Sequence, residues 1–167
     1  MNPGRRGVVQ PGDTGGVTAM GGQGATVAEF VRSSGPLRGP ALDRLALACA
    51  ATMARLHARG VAGLRLSEDS VALGAHGQVF IGWTPSAAAY EGAVADDVRA
   101  WADLMVFAAT GVRDGNPYAL PPALRLAVAQ CRRPDWMARP RAADVLRVLL
   151  GRSVASAMAS VNDLLAC

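Results

Sequence analysis

The 167-residue sequence contains no lysine, few aromatic residues and only three cysteines. All 17 of its basic residues are therefore arginines, which together with 13 acidic residues give a formal net charge of +4. Because the arginines are spread over several predicted helices and are not grouped with aromatic residues, we expect no nucleic-acid partner. Cys49, Cys131 and Cys167 are too few and too widely spaced for a disulfide framework or a zinc site.

Long apolar runs are missing as well. No segment reaches the roughly 20 apolar residues that a membrane-spanning helix needs, and the sequence does not open with the apolar core of a signal peptide. We therefore expect a cytoplasmic protein without a membrane span. Aromatic residues make up 5% of the sequence, while Ala, Leu, Val and Arg dominate it, which favours helices over a β sandwich.

Three segments are distinguished along the chain. Residues 1–24 are rich in glycine and are predicted to be flexible, because they cannot bury enough apolar surface to become ordered. Residues 25–151 form one predicted domain, for which this length is sufficient. Residues 152–167 form a predicted helical tail, whose apolar side carries Val154, Met158, Val161 and Leu165.

The central domain contains several local signals of secondary structure. Thr26 and Glu29 have the spacing of a capping box, which predicts the start of a short helix. Residues 71–73 and 78–81 flank a turn-rich connection and predict a β-hairpin. Between these features, a longer helix is predicted to end at Gly60, with apolar residues recurring three or four positions apart at Leu42, Leu45, Cys49, Met53 and Leu56.

The stretch from Leu56 to Leu73 reads LHARGVAGLRLSEDSVAL. It resembles the catalytic loop of protein kinases, L-H-x-x-G-[VI]-x-H-R-D-L-K-P-x-N-[VI]-L-L, but it has residues 63–70 where the family has H-R-D-L-K-P-x-N. Three further resemblances follow in the family's order. They are a D-[VI]-[WYF]-[SA]-[LFW]-[GA] helix from residue 97, a T-G-x-x-P-[FY] loop at residues 111–118 and a C-L-x-x-D-P-x-x-R-P segment at residues 131–140.

Together these motifs make residues 17–151 similar to the carboxy-terminal lobe of bacterial, actinobacterial-type serine/threonine protein kinases. The resemblance implies a mainly α fold: a protein-kinase-like large lobe with a short β hairpin, and with the small lobe absent. Residues 17–31 resemble the kinase segment at the hinge. The resemblance therefore places a hinge remnant in residues 1–24.

The resemblance also locates the positions that phosphoryl transfer uses in this family, and none of them carries its usual residue. Arg65 stands at the position of the proton-accepting Asp, Ser70 at that of the metal-binding Asn, and Gly82 at that of the second metal-binding Asp. No lysine is present to contact phosphates. An arginine cannot act as a base, and magnesium sites depend on carboxylates. We therefore expect no kinase catalysis, and neither ATP nor magnesium as a cofactor.

Glu68 and Asp69 lie beside the lost Asn position and could hold a displaced metal ion. Acidic residues in a loop are usually solvated. The preferred interpretation is therefore a solvated acidic turn that binds no metal.

Four residues receive structural roles from the resemblance, namely His57, Asp97, Trp101 and Arg139. In the family, the carboxylate at the position of Asp97 accepts backbone N–H bonds from the catalytic loop, and loss of such an acceptor would cost about 1–3 kcal/mol. The arginine at the position of Arg139 pairs with a glutamate, for which Glu91 is the candidate here. Without that partner, Arg139 is expected to be exposed.

The preferred functional interpretation is a catalytically inactive, pseudokinase-like domain that acts as a regulatory module through contact with another protein. The partner would be a kinase, a regulator or a second copy of the chain, because loss of the small lobe would expose apolar surface. Three alternatives stay open. They are a kinase fragment with residual ATP binding or completed in trans, a decayed or mis-started gene product, and an unrelated small helical regulator whose motif matches arise by chance.

Overall fold

A computed structural model describes residues 24–82 and 90–151. The helices are α1 Val27–Ser34, α2 Gly39–His57, α3 Ala93–Thr110, α4 Pro122–Cys131 and α5, residues 142–151. The strands are β1 Ala25–Thr26, β2 Val71–Leu73 and β3 Val79–Ile81, and single turns of 3-10 helix lie at Pro117–Ala119 and Trp136–Ala138. The expected mainly α fold is confirmed. Within these two ranges, no helix combines the length and apolarity needed to cross a bilayer.

Helix α3 forms the centre of the core and packs against α1, α2 and α4. Val98, Trp101 and Met105 lie on one face of this helix and are fully buried. The indole Nε1 of Trp101 donates a hydrogen bond to the carbonyl oxygen of Ala46 in α2, at 3.2 Å. Trp101 therefore fixes how the two longest helices of the described chain lie against each other.

The three strands form an antiparallel sheet in the order β1-β2-β3. The predicted hairpin of β2 and β3 is confirmed, with Val71 opposite Ile81 and Leu73 opposite Val79. Strand β1 was not predicted, because its two residues are too short to show an alternating pattern. It pairs with the outer side of β2, where Thr26 lies opposite Ala72.

Two helix boundaries differ from the sequence-based expectation. Helix α2 ends at His57 and not at Gly60, which lies in the following turn with φ of +77°. Helix α3 begins at Ala93, four residues before the expected start, because Gly92 adopts a left-handed conformation that directs the chain into the helix. The predictions for residues 1–23 and for the tail of residues 152–167 fall outside the described residues.

The predicted capping box at the start of α1 is confirmed. The Thr26 hydroxyl accepts a hydrogen bond from the Glu29 backbone N–H at 3.1 Å, and the Glu29 carboxylate accepts one from the Thr26 N–H at 2.9 Å. Thr26 therefore serves two elements, because its backbone also pairs with β2. The next residue but one, Ala28, donates its N–H to the carbonyl oxygen of Glu68 at 3.0 Å, which attaches α1 to the loop before β2.

Replacing Thr26 with alanine removes the hydroxyl that caps α1, so we expect Thr26→Ala to lower the free energy of unfolding by about 1 kcal/mol. Urea denaturation followed by circular dichroism measures this change. Thr26→Ser is the matched control, since it keeps the hydroxyl and should change stability by less than about 0.5 kcal/mol. Equal losses of unfolding free energy in both variants would show that the effect comes from the threonine methyl group and not from the hydroxyl.

Candidate functional site

The loop between α2 and β2 carries the positions that resemble a kinase catalytic site, and Asp97 of α3 holds it in place. Asp97 is buried, with 2% of its surface exposed. Its Oδ1 accepts a hydrogen bond from the Leu64 backbone N–H at 2.7 Å, and its Oδ2 accepts one from the Gly63 N–H at 3.0 Å. Both bonds go to backbone amides, so they fix the path of the loop whatever side chains it carries.

His57, the last residue of α2, completes this arrangement. Its Nε2 lies 2.8 Å from Oδ2 of Asp97, while Nδ1 is buried and has no hydrogen-bond partner among the described residues. Because an ionised carboxylate can only accept, Nε2 carries the proton of this hydrogen bond. His57 therefore orients the carboxylate of Asp97 and has no free proton donor to offer a substrate.

Arg65 is exposed at the position where the resemblance expects a catalytic base. Its φ of +52° makes it the one non-glycine residue in the described chain with a positive φ. Holding a side chain in this left-handed region costs about 1 kcal/mol. The loop therefore keeps a strained turn at this point, although a guanidinium cannot accept a proton from a hydroxyl group.

Ser70 uses its hydroxyl inside the loop. Its Oγ accepts a hydrogen bond from the Ser67 N–H at 2.9 Å, and the Ser67 Oγ accepts one from the Ser70 N–H at 3.2 Å. Gly82 offers no side chain, and its N–H donates to the Ser70 carbonyl oxygen at 2.7 Å. Among the described residues, no three His, Cys, Asp or Glu side chains lie close enough together to hold a metal ion.

The interpretation of Glu68 as part of a solvated turn is wrong. Only 12% of its side chain is exposed, and Oε1 pairs with Nε of Arg113, which lies in the loop after α3. This contact raises the pKa of the Arg113 guanidinium. Sequence reasoning missed Arg113, since no local pattern links residues 45 positions apart. Asp69 is exposed, as expected for a turn.

Arg139 is neither exposed nor paired with Glu91, which corrects both expectations for it. Only 4% of its side chain is exposed, and Nη1 lies 3.3 Å from Oδ1 of Asp96 and 3.0 Å from the Ala95 carbonyl oxygen. Asp96 was missed because it directly precedes Asp97 and had no separate motif. Its other oxygen accepts a hydrogen bond from Tyr90 Oη at 2.8 Å, which raises the Tyr90 pKa.

The two described cysteines are buried free thiols. Burial raises the pKa of Cys49 to about 12, and burial likewise raises the pKa of Cys131 to about 12. Since the thiolate is the nucleophile and the metal ligand, neither residue is suited to catalysis or metal binding at neutral pH. Both act as small core residues.

Comparison with known proteins bears on the fold. No protein-family model and no curated protein sequence matches the chain. Among solved structures, the chain is similar to the kinase Rad53, determined as residues 1–466 in complex with AMP-PNP, with a TM-score of 0.62 at 14% identity. The match covers 74% of this chain and 43% of the Rad53 chain. The described chain therefore has a protein-kinase-like fold that corresponds to the carboxy-terminal lobe.

Replacing Asp97 with alanine leaves the buried N–H groups of Gly63 and Leu64 without an acceptor. We expect Asp97→Ala to lower the free energy of unfolding by about 3 kcal/mol or more. Asp103→Ala is the control on the same helix, since Asp103 forms a partly exposed pair with Arg132 and should cost about 1 kcal/mol or less. Similar losses in urea denaturation would contradict the anchoring role of Asp97.

In a Cys167→Ser background, we expect Cys49 and Cys131 to resist alkylation by a maleimide in the folded protein. With a pKa of about 12, each thiol is about one part in 10,000 thiolate at pH 8. In urea both cysteines should be modified, because unfolding restores their ordinary pKa. Intact-mass spectrometry counts the adducts, and rapid modification of the folded chain would refute the burial of these thiols.

Proposed function

We propose that this chain is a kinase-fold domain without phosphoryl-transfer activity, and that it acts in the cytoplasm as a regulatory module by binding another protein. The proposal rests on a contrast between the backbone hydrogen bonds that fix the loop and the side chains that the loop presents. The backbone contacts of Asp97 that hold the loop are present, while the side chains that would act on ATP and a hydroxyl group are replaced.

Three replaced positions support the inactive assignment. Arg65 presents a permanent positive charge where phosphoryl transfer needs a proton acceptor. The Ser70 hydroxyl is engaged with Ser67, and Gly82 has no side chain. The remaining carboxylates of the loop do not substitute for these groups, because Glu68 is paired with Arg113 and Asp69 is a single exposed carboxylate without an ion pair to another described residue.

We propose an origin among bacterial serine/threonine kinases for the same chain. Support comes from the ordered series of motifs and from the Gly35-Pro36-Leu37 turn before α2, which resembles the turn found in actinobacterial kinases. Gly35 adopts φ of +84° and donates its N–H to Val31, so the turn closes α1. Leu37 is buried beyond it and leads the chain toward α2.

The binding role is supported by large apolar side chains on the surface. Such residues are common singly, but clusters of them mark contact sites. Those with more than half of their surface exposed are Tyr90, Val112, Tyr118, Leu126, Met137 and Val148. Among these described residues, all except Tyr90 follow α3 in the sequence, and Leu126 and Val148 line the same cavity.

The proposal predicts that the purified chain, mixed with ATP, magnesium and a generic protein substrate, transfers no phosphate. It also predicts that ATP with magnesium leaves the melting temperature unchanged. Arg65→Asp should not restore transfer, because Ser70 and Gly82 still provide no metal ligands. The partner is sought by affinity capture from lysate of the source organism, with capture by the heat-denatured chain as the control for nonspecific binding.

Three outcomes would overturn the proposal in whole or in part. A magnesium-dependent rise in melting temperature that Asp69→Asn abolishes would mean that the loop binds nucleotide through a displaced metal. Phosphate transfer that appears only after a captured protein is added would identify the chain as part of a kinase completed in trans. Absence of any specifically captured protein would remove the binding role.

A further inference from the structure

An apolar groove of about 360 Å³ runs between α4 and α5. Its apolar lining consists of Leu126, Ala127, Ala138, Pro140, Val145 and Val148. Leu126 on one wall and Val148 on the other have 61% and 52% of their surface exposed. The groove is therefore recessed between two helices and is bordered by large side chains that have apolar surface left to bury.

Two charged residues, Arg133 and Asp144, line this groove, and Asp144 is paired with Arg147. Residues 122–151 contain six arginines. Three of these arginines, Arg125, Arg133 and Arg141, form no ion pair with another described residue, and Arg133 lines the groove itself. The charge in the groove lining that has no ion pair with a described residue is therefore positive, which favours an acidic occupant.

We propose that the groove binds an acidic amphipathic helix of a partner protein. An amphipathic helix places apolar residues at i, i+3 or i+4, and i+7 into such a groove. A carboxylate on its flank would pair with Arg133. This inference rests on the proposed binding function and specifies the chemistry of the partner.

Charge and shape distinguish this occupant from three others. Residues 152–167 contain one arginine and one aspartate, so the tail of the chain brings no net negative charge to the groove. In a symmetric pair of copies, the same positive surface would face itself. A membrane surface contacts protruding side chains more readily than a groove recessed between two helices.

The test uses two fluorescent peptides of about 15 residues, a length that can form a helix. Both carry leucine at i, i+3 or i+4, and i+7, and their other positions are mainly glutamate in one and lysine in the other. Fluorescence anisotropy with the full chain should show binding of the glutamate peptide at least tenfold tighter than that of the lysine peptide. Added salt should weaken the binding, since screening reduces the attraction of the carboxylates to the arginines.

Variants on both walls localise the site. Val148→Asp and Leu126→Asp should each weaken binding of the glutamate peptide about tenfold or more, which corresponds to about 1.4 kcal/mol. Leu150→Asp is the matched control, because Leu150 is 48% exposed on the same helix as Val148 and does not line the groove. Circular dichroism checks that each variant is folded. Because the two substitutions lie on opposite walls of the groove, one folded variant is sufficient for the test.

The proposal fails if the two peptides bind equally, if neither binds, or if neither groove variant weakens binding. Sedimentation with vesicles of phosphatidylcholine and phosphatidylserine that is lost in Val148→Asp would assign the surface to membranes instead. Failure here is separable from failure of the proposed function. If a partner captured from lysate is retained equally by wild type and Val148→Asp, the binding function stands and the groove is not its site.

Discussion

A single buried carboxylate connects three parts of this domain. Asp97 accepts two backbone N–H bonds from the loop and one hydrogen bond from His57. It therefore connects the end of α2, the loop and the central helix α3. Because Trp101, one turn further along α3, is also bonded to α2, the loop is supported by a helix pair whose own position is fixed.

This form of support shows how the path of a loop can be fixed independently of the side chains that the loop carries. Asp97 contacts amide groups that every residue except proline possesses, so replacing loop side chains does not disturb the anchor. Within the loop, the hydroxyl groups of Ser67 and Ser70 each accept a hydrogen bond from the backbone N–H of the other residue. The backbone atoms of the loop determine its path, while its side chains determine its chemistry. A similar fold therefore does not by itself establish activity.

Local features were predictable from the sequence, while distant pairings were not. The three-or-four spacing of Leu42, Leu45 and Cys49 identified the buried face of α2, and the turn-rich connection identified the β2–β3 hairpin. The partners of Glu68 and Arg139 could not be read from any spacing, because each pair is more than 40 residues apart and depends on how the helices pack. Their burial follows from that packing alone.

The double role of Thr26 has a mechanical consequence. Its backbone belongs to β1 and its hydroxyl caps α1. No linker residue therefore separates the sheet from the helix. Ala28 then links α1 to the backbone of Glu68, within the loop that Asp97 anchors. A force that pulls on β1 from the amino-terminal side would therefore be transmitted through α1 to the loop, because hydrogen bonds connect each of these elements to the next.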